Sequence, residues 1–187
     1  MKVLLHTCCG PCASACVPRL REEGHEVTMF YSNSNIDSSE EFEKRLAGAR
    51  RLAEADAVEL VADGYDHGDW LKNVAAGLED APERGERCAG CFRYNLARTA
   101  AYAAAHGYDA FATSLTVSPH KVSRVIFEAS ADKRFLKADF KKRDGFRTSL
   151  ERSAELGLYR QDYCGCEFSR PRNGGVRMRT EQKRGEK

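Results

Sequence analysis

Eight cysteines dominate the chemistry this sequence can perform, and they fall into three tight groups: Cys8, Cys9, Cys12 and Cys16; Cys88 and Cys91; Cys164 and Cys166. Cys88-Ala-Gly-Cys91 has metal-ligand spacing, because two intervening residues let both thiolates turn towards one ion or cluster. Zinc needs two further ligands, a thioredoxin-like redox pair needs none, and an iron-sulfur cluster needs one or two cysteines from elsewhere. The adjacent Cys8 and Cys9 can supply them from an irregular loop. Cys164-Gly-Cys166 differs in kind. One residue between two thiols gives a strained ring on oxidation, and strain raises the reduction potential, so the pair suits electron relay better than structure. The alternative is a second ligand pair for the same metal. Cys12 and Cys16 lie four apart on an expected helix and share a face, Cys12 within reach of the site and Cys16 as packing.

The elements that must position these groups alternate strand and helix. Lys2 to Thr7 reads as a short buried strand leading into the first cysteine loop, with a helix from Pro11 to Glu23. A second strand follows at Glu26 to Tyr31, then a helix capped by Ser38 or Ser39 and running to Ala55, and a third strand at Val58 to Val61. A helical stretch at Asp69 to Ala76 and a turn-rich segment deliver Cys88 and Cys91 to an alanine-rich helix ending near Ala105. Tyr108 to Ser114 is a fourth strand, Ser118 to Ala131 a helix, Phe135 and Leu136 a possible fifth strand, and Ser149 to Leu156 a short helix. This alternation predicts an α/β fold, a parallel sheet with helices on both faces, whose ligands sit beyond the carboxyl ends of the strands. At 187 residues, a single catalytic domain over residues 1–169 is expected, with residues 170–187 a basic, disordered tail.

Composition narrows the setting. No run approaches the roughly 18 apolar residues of a membrane helix, and none resembles a signal peptide, so the expectation is a cytoplasmic protein. In that compartment metal or redox chemistry accounts better than structural disulfides for eight cysteines. The net charge of +2 conceals an asymmetry: residues 1–118 hold 12 Lys and Arg against 18 Asp and Glu, residues 119–187 hold 18 against 10. A basic final third suits a polyanion, since each phosphate neutralised releases counterions.

Five segments, in order, carry a resemblance: Leu5-His-Thr-Cys-Cys-Gly-Pro-Cys12, Arg87-Cys-Ala-Gly-Cys-Phe92, Ser114-Leu-Thr-Val-Ser-Pro-His-Lys121, Asp139-Phe-Lys-Lys-Arg-Asp-Gly145 and Leu158-Tyr-Arg-Gln-Asp-Tyr-Cys-Gly-Cys166. Together they closely resemble the QueH family of epoxyqueuosine reductases, over about Lys2 to Ser169. The resemblance implies a fold of the adenine-nucleotide α-hydrolase-like (HUP) type. It also implies the last step of queuosine synthesis, two-electron removal of the epoxide oxygen from epoxyqueuosine at the wobble position of a tRNA anticodon, without cobalamin. Carried over by residue, Cys8, Cys9, Cys88 and Cys91 match the ligands of a 4Fe-4S cluster, and Cys164 and Cys166 match a redox-active disulfide. Asp37 stands where the family often shows histidine, and no role is assigned to it.

Deoxygenating an epoxide takes two electrons, protons and a group that polarises the C–O bond. Cys12 is the candidate for holding an additional iron ion as Lewis acid, and His6, His120 and Tyr163 are candidate proton donors. Lys121, Arg124, Lys141, Lys142, Arg143 and Arg160 are the expected RNA contacts, with Phe140, Phe146 and Tyr159 as aromatic platforms for an unstacked base. The expected partners are this tRNA and a cellular electron donor, and the expected state is a monomer. Two rival readings stand beside this one. An ATP-dependent tRNA-modifying enzyme needs a Ser-Gly-Gly-x-Asp-Ser-like loop where this chain has Cys-Cys-Gly-Pro-Cys, and a zinc-binding RNA module would close its metal site with four cysteines.

Overall fold

Four short strands, β1 (Lys2–His6), β2 (Glu26–Tyr31), β3 (Glu59–Ala62) and β4 (Ala110–Thr113), form an all-parallel sheet in the order β3-β2-β1-β4 in the computed structural model, which describes residues 1–170. Six helices surround it: α1 (Gly10–Glu22), α2 (Ser39–Asp56), α3 (His67–Trp70), α4 (Glu86–Ala105), α5 (Ser123–Glu128) and α6 (Gly145–Glu155). Strand residues alternate between two cores. Val3, Leu5, Val27, Met29, Tyr31, Ala110 and Ala112 face α1, α2 and α6. Leu4, Phe30 and Phe111 face α4 and α5. Such nearly continuous apolar runs are what a strand covered on both sides requires. Among the described residues no helix is long and apolar enough to cross a membrane.

Local chemistry explains the helix ends. Ser38 Oγ accepts the Glu41 N–H at 3.3 Å, and Glu40 and Glu41 occupy the first turn of α2, where the helix dipole favours negative charge. Pro18 inside α1 has no N–H for the Ser14 carbonyl. Arg152 of α6 supplies the donor instead, at 2.7 Å, and also binds Asp56 at the end of α2, so one guanidinium ties three helices together.

Three expectations are corrected. The helix expected over Ser118 to Ala131 is confined to Ser123–Glu128, preceded by a 3-10 turn at Ser114–Val117. Lys141 Nζ occupies the Ser118 and Lys121 carbonyls, at 3.3 and 2.6 Å, and so fixes residues 118–121 as a turn. The fifth strand shrinks to one bridge between Phe111 and Phe135, because the Asp132 side chain takes the Arg134 N–H on one side and a Leu136–Ala138 turn follows on the other. The last helix starts at Gly145, four residues earlier than expected. Of the expected tail, residues 171–187 lie outside the described residues, whereas Arg170 is held by Asp37 and Tyr163.

Candidate active site

With β2 on one side of β1 and β4 on the other, successive connections leave β1 in opposite directions, and a crevice opens where the loops after β1 and β4 diverge. The sequence places Cys8 and Cys9 in the first loop and Ser114 in the second. They meet there: the Cys8 N–H donates to Ser114 Oγ at 3.0 Å, and the Ser114 hydroxyl donates to Cys8 Sγ at 3.3 Å. Asn33, after β2, fixes the same loop by donating to the Thr7 carbonyl at 2.9 Å.

Cys9 caps α1 in extended backbone, and one turn later Cys12 returns its sulfur to the loop. The sulfurs of Cys8, Cys9 and Cys12 all lie within 4.8 Å of one another, so this triad is a group able to hold a metal ion. Hydrogen bonds from the Cys12 and Cys8 thiols hold the Cys9 thiol well below its ordinary range. The cap position at a helix N-terminus favours the same thiolate. Cys16 is fully buried and donates to the Cys12 carbonyl at 3.4 Å, which is the packing role expected of it.

Cys88 and Cys91 sit on the first two turns of α4. Cys88 Sγ accepts the Arg84 N–H at 3.2 Å, and Cys91 Sγ accepts Asn95 Nδ2 at 3.7 Å. The indole N–H of Trp70, buried without an oxygen or nitrogen acceptor, also turns to Cys91. Seven of the eight cysteines, all but Cys16, line two cavities that share Cys91, Cys164, Lys121 and His120. The larger, about 260 Å³, takes in Cys8, Cys9 and Cys12, and the smaller, about 70 Å³, takes in Cys88 and Cys166. Of the four cysteines expected as one ligand set, Cys8, Cys9 and Cys91 line the larger cavity and Cys88 the adjoining smaller one, while the sulfurs close enough to share one ion are those of Cys8, Cys9 and Cys12.

The other expected residues divide. Lys121 belongs to the cysteine site: burial disfavours its ammonium, but the charge of Cys164, Cys8, Cys12 and Cys9 outweighs burial and keeps it protonated. Lys141 is tied to backbone carbonyls as described, and Arg160 donates to Ser153 Oγ at 3.1 Å at the rim of the larger cavity. Arg124 pairs with Glu128 on the surface, and Lys142 and Arg143 are exposed. Phe140 is only 1% exposed and belongs to the core rather than to a base platform. Phe146 lines the larger cavity, and the Tyr159 hydroxyl is engaged by Glu41. His120 is exposed and borders both cavities. Tyr163 donates to Asp37 at 2.9 Å, and burial together with that carboxylate pushes its hydroxyl up to about 12.

His6 is not a proton donor to the site. It is fully buried, with Nδ1 2.8 Å from Thr113 Oγ1 and Nε2 3.1 Å from the Ser32 carbonyl, an arrangement that requires the proton on Nε2. Burial pulls its pKa down to about 4, the Ser32 carbonyl opposing only in part. The unfolded chain therefore binds the extra proton first: stability is complete above about pH 6.5 and falls as pH drops towards 4, by about 3 kcal/mol in all. Urea unfolding across this range should show that slope, and His6→Asn should remove it. Equal slopes in the two proteins would place the titration elsewhere.

Spacing does not point to Asn33, Trp70, Asn95 or Ser114. Nor does it point to Arg45, because with Glu41 four residues before it, it reads as an ordinary surface ion pair; in the structure it is 3% exposed and reaches the Cys164 turn.

Comparison with known proteins matches nearly the whole of the described chain. The family model for "Epoxyqueuosine reductase QueH" matches residues 3–172. A protein of that name from Dehalococcoides mccartyi is 37% identical over 175 residues, covering 90% of this chain and 92% of its own. Another, from Streptococcus pyogenes serotype M1, is 34% identical over 184 residues, covering 92% and 71%. A third, from Thermotoga maritima, is 32% identical, covering 89% of each chain.

Proposed function

The chain belongs to the epoxyqueuosine reductase QueH family, and from that premise we propose how this crevice, on a sheet of the adenine-nucleotide α-hydrolase-like type, deoxygenates epoxyqueuosine in a tRNA anticodon to queuosine. The observation that carries this reading is the convergence of seven cysteines and one half-buried lysine on adjoining cavities at the carboxyl ends of β1 and β4.

The donor set fits an iron-sulfur centre: only sulfur ligands face the crevice in number, and their sulfurs accept N–H groups from Arg84 and Asn95, as thiolate ligands do. Cys8, Cys9, Cys88 and Cys91 would hold a 4Fe-4S cluster, and Cys12, beside Cys8 and Cys9, an additional iron ion. When bound, these groups supply single-electron transfer and Lewis acidity.

The chain's own residues complete the balance. Cys164 and Cys166 as thiols carry two electrons and two protons; giving them up forms their disulfide and turns the epoxide oxygen into water, leaving the cyclopentene. A cellular reductant then reopens the disulfide. Lys121, held protonated in the crevice, places positive charge where the leaving oxygen becomes anionic. Arg160 at the cavity rim and the exposed Arg124, Lys142 and Arg143 would meet the RNA backbone, with Lys121 and Lys141 shaping the loop at residues 118–121. Neutralising Lys142 and Arg143 together to glutamine should weaken tRNA binding and reduce the salt slope of its affinity by about one for each phosphate left without its cation. An unchanged slope removes those two residues from the interface.

The test is anaerobic reconstitution with iron and sulfide, then mass analysis of epoxyqueuosine-containing tRNA with reductant present. A brown protein and a product lighter by one oxygen are expected. A colourless protein with stoichiometric zinc and no conversion would overturn the reading in favour of a structural zinc module.

A further inference from the structure

The turn carrying Cys164 and Cys166 is held from outside itself. Three consecutive carbonyls accept hydrogen bonds from α2 and the loop before it: Arg45 Nη2 lies 3.5 Å from the Tyr163 oxygen, Arg45 Nη1 3.0 Å from the Cys164 oxygen, and the Asp37 N–H 2.9 Å from the Gly165 oxygen. Arg45 has no freedom of its own. Its Nε donates to Glu41 Oε1 at 2.7 Å, and its guanidinium carbon stands 4.9 Å from the centroid of the Tyr163 ring. The turn is pressed against this grip. Gly165 has φ +141°, a conformation that glycine adopts freely, and a Cβ there would stand 3.1 Å from Asn35 Nδ2 and 3.3 Å from Arg45 Nη1. The outcome is an asymmetric pair, Cys164 exposed to both cavities and Cys166 buried beside Ser169.

We propose that Arg45 is a positioning residue for the Cys164–Cys166 pair, its two-carbonyl grip holding the turn in the shape from which the disulfide closes and reopens. The inference rests on the redox assignment of these two cysteines made above. A planar guanidinium can hold two neighbouring carbonyls while pairing with Glu41, whereas a lysine ammonium presents a single point and cannot span them in the same way. Loss of the grip lets the turn spread and adds conformational entropy to the dithiol, which makes ring closure less favourable.

The cluster-loaded chain, kept anaerobic, is equilibrated with ratios of reduced to oxidised glutathione. The two thiols give two electrons and two protons to oxidised glutathione, whose S–S bond opens to two glutathione thiols as the protein's bond forms. After acid quench and alkylation, the mass of the peptide bearing Cys164 and Cys166 gives the equilibrium constant. Arg45→Met and Arg45→Lys are both expected to lower it about tenfold, about 30 mV in potential. Arg45→Lys, which keeps the charge and the Glu41 pair, is expected to do so with a smaller fall in melting temperature than Arg45→Met, and it decides the matter alone if Arg45→Met does not fold. A wild-type equilibrium constant in Arg45→Lys overturns the positioning role. Absence of the disulfide in the wild-type chain at every ratio overturns instead the redox assignment beneath it.

Discussion

Cys9→Ala is expected to fold, to lose its iron and to convert epoxyqueuosine at less than about one hundredth of the wild-type rate. The rate expectation follows from scale, since losing a hydrogen bond to a metal ligand already costs about 10- to 100-fold in affinity or activity, and here the ligand itself is removed. Folding should survive because the Cys9 side chain contributes little to the helix start: it makes no capping hydrogen bond, although the residue is 1% exposed. The cost is the burial of one sulfur, about 1 kcal/mol. Cys16→Ala is the internal control. That sulfur is equally buried but lies on the core side of α1, so its loss should cost about 1 to 2 kcal/mol and leave iron content unaltered. Iron and sulfide per chain, urea unfolding and product mass together separate the two variants. A Cys9→Ala protein with full iron and turnover would remove the first cysteine group from the centre.

Gly10→Ala should damage stability and site at once. A Cβ on Gly10 would stand 2.5 Å from the Gly48 carbonyl oxygen and 2.7 Å from its carbon, both backbone atoms of α2 that cannot rotate away. The start of α1 must then move off α2, at a cost of about 1 to 3 kcal/mol, carrying Cys9 and Cys12 with it. Gly48→Ala makes the contrast. Nothing lies within 4 Å of its added carbon, and an alanine inside a helix is better than glycine by about 0.5 to 1 kcal/mol, so that variant should be the more stable. Urea midpoints and iron content measure both effects; a Gly10→Ala chain as stable and as iron-rich as the wild type would show that the two helices separate without cost.

The site is legible in sequence where its parts are local. Cys88 and Cys91 share one helical turn, Cys8 and Cys9 one loop, Cys164 and Cys166 one glycine turn, and local spacing is enough to expose each as a chemical unit. Lys121 is legible as a cation but not as a member of the cysteine site, because its neighbours Cys8 and Cys164 come from distant segments. His6 and Phe140 mislead in the opposite direction. Each stands in or beside a motif, and each proves buried, one bridging β1 to β4 and the loop after β2, the other in the core beneath α1 and α6. Arg45 carries no signal at all, since its i,i+4 carboxylate partner imitates a solvated helix face.

From sequence alone follow the alternation of four strands with helices, the N-terminal cap of α2, the three cysteine groups and the likeness to one family, because periodicity, capping and motif spacing act within a few residues. Tertiary structure decided the rest. The order β3-β2-β1-β4 sets Ser114 against Cys8 across 106 positions, folds Cys12 back on Cys8 and Cys9, and hangs the Cys164 turn on a guanidinium 119 positions away. Those pairings depend on which strands are neighbours and which helices touch, and no local pattern encodes a contact whose partner lies in another element.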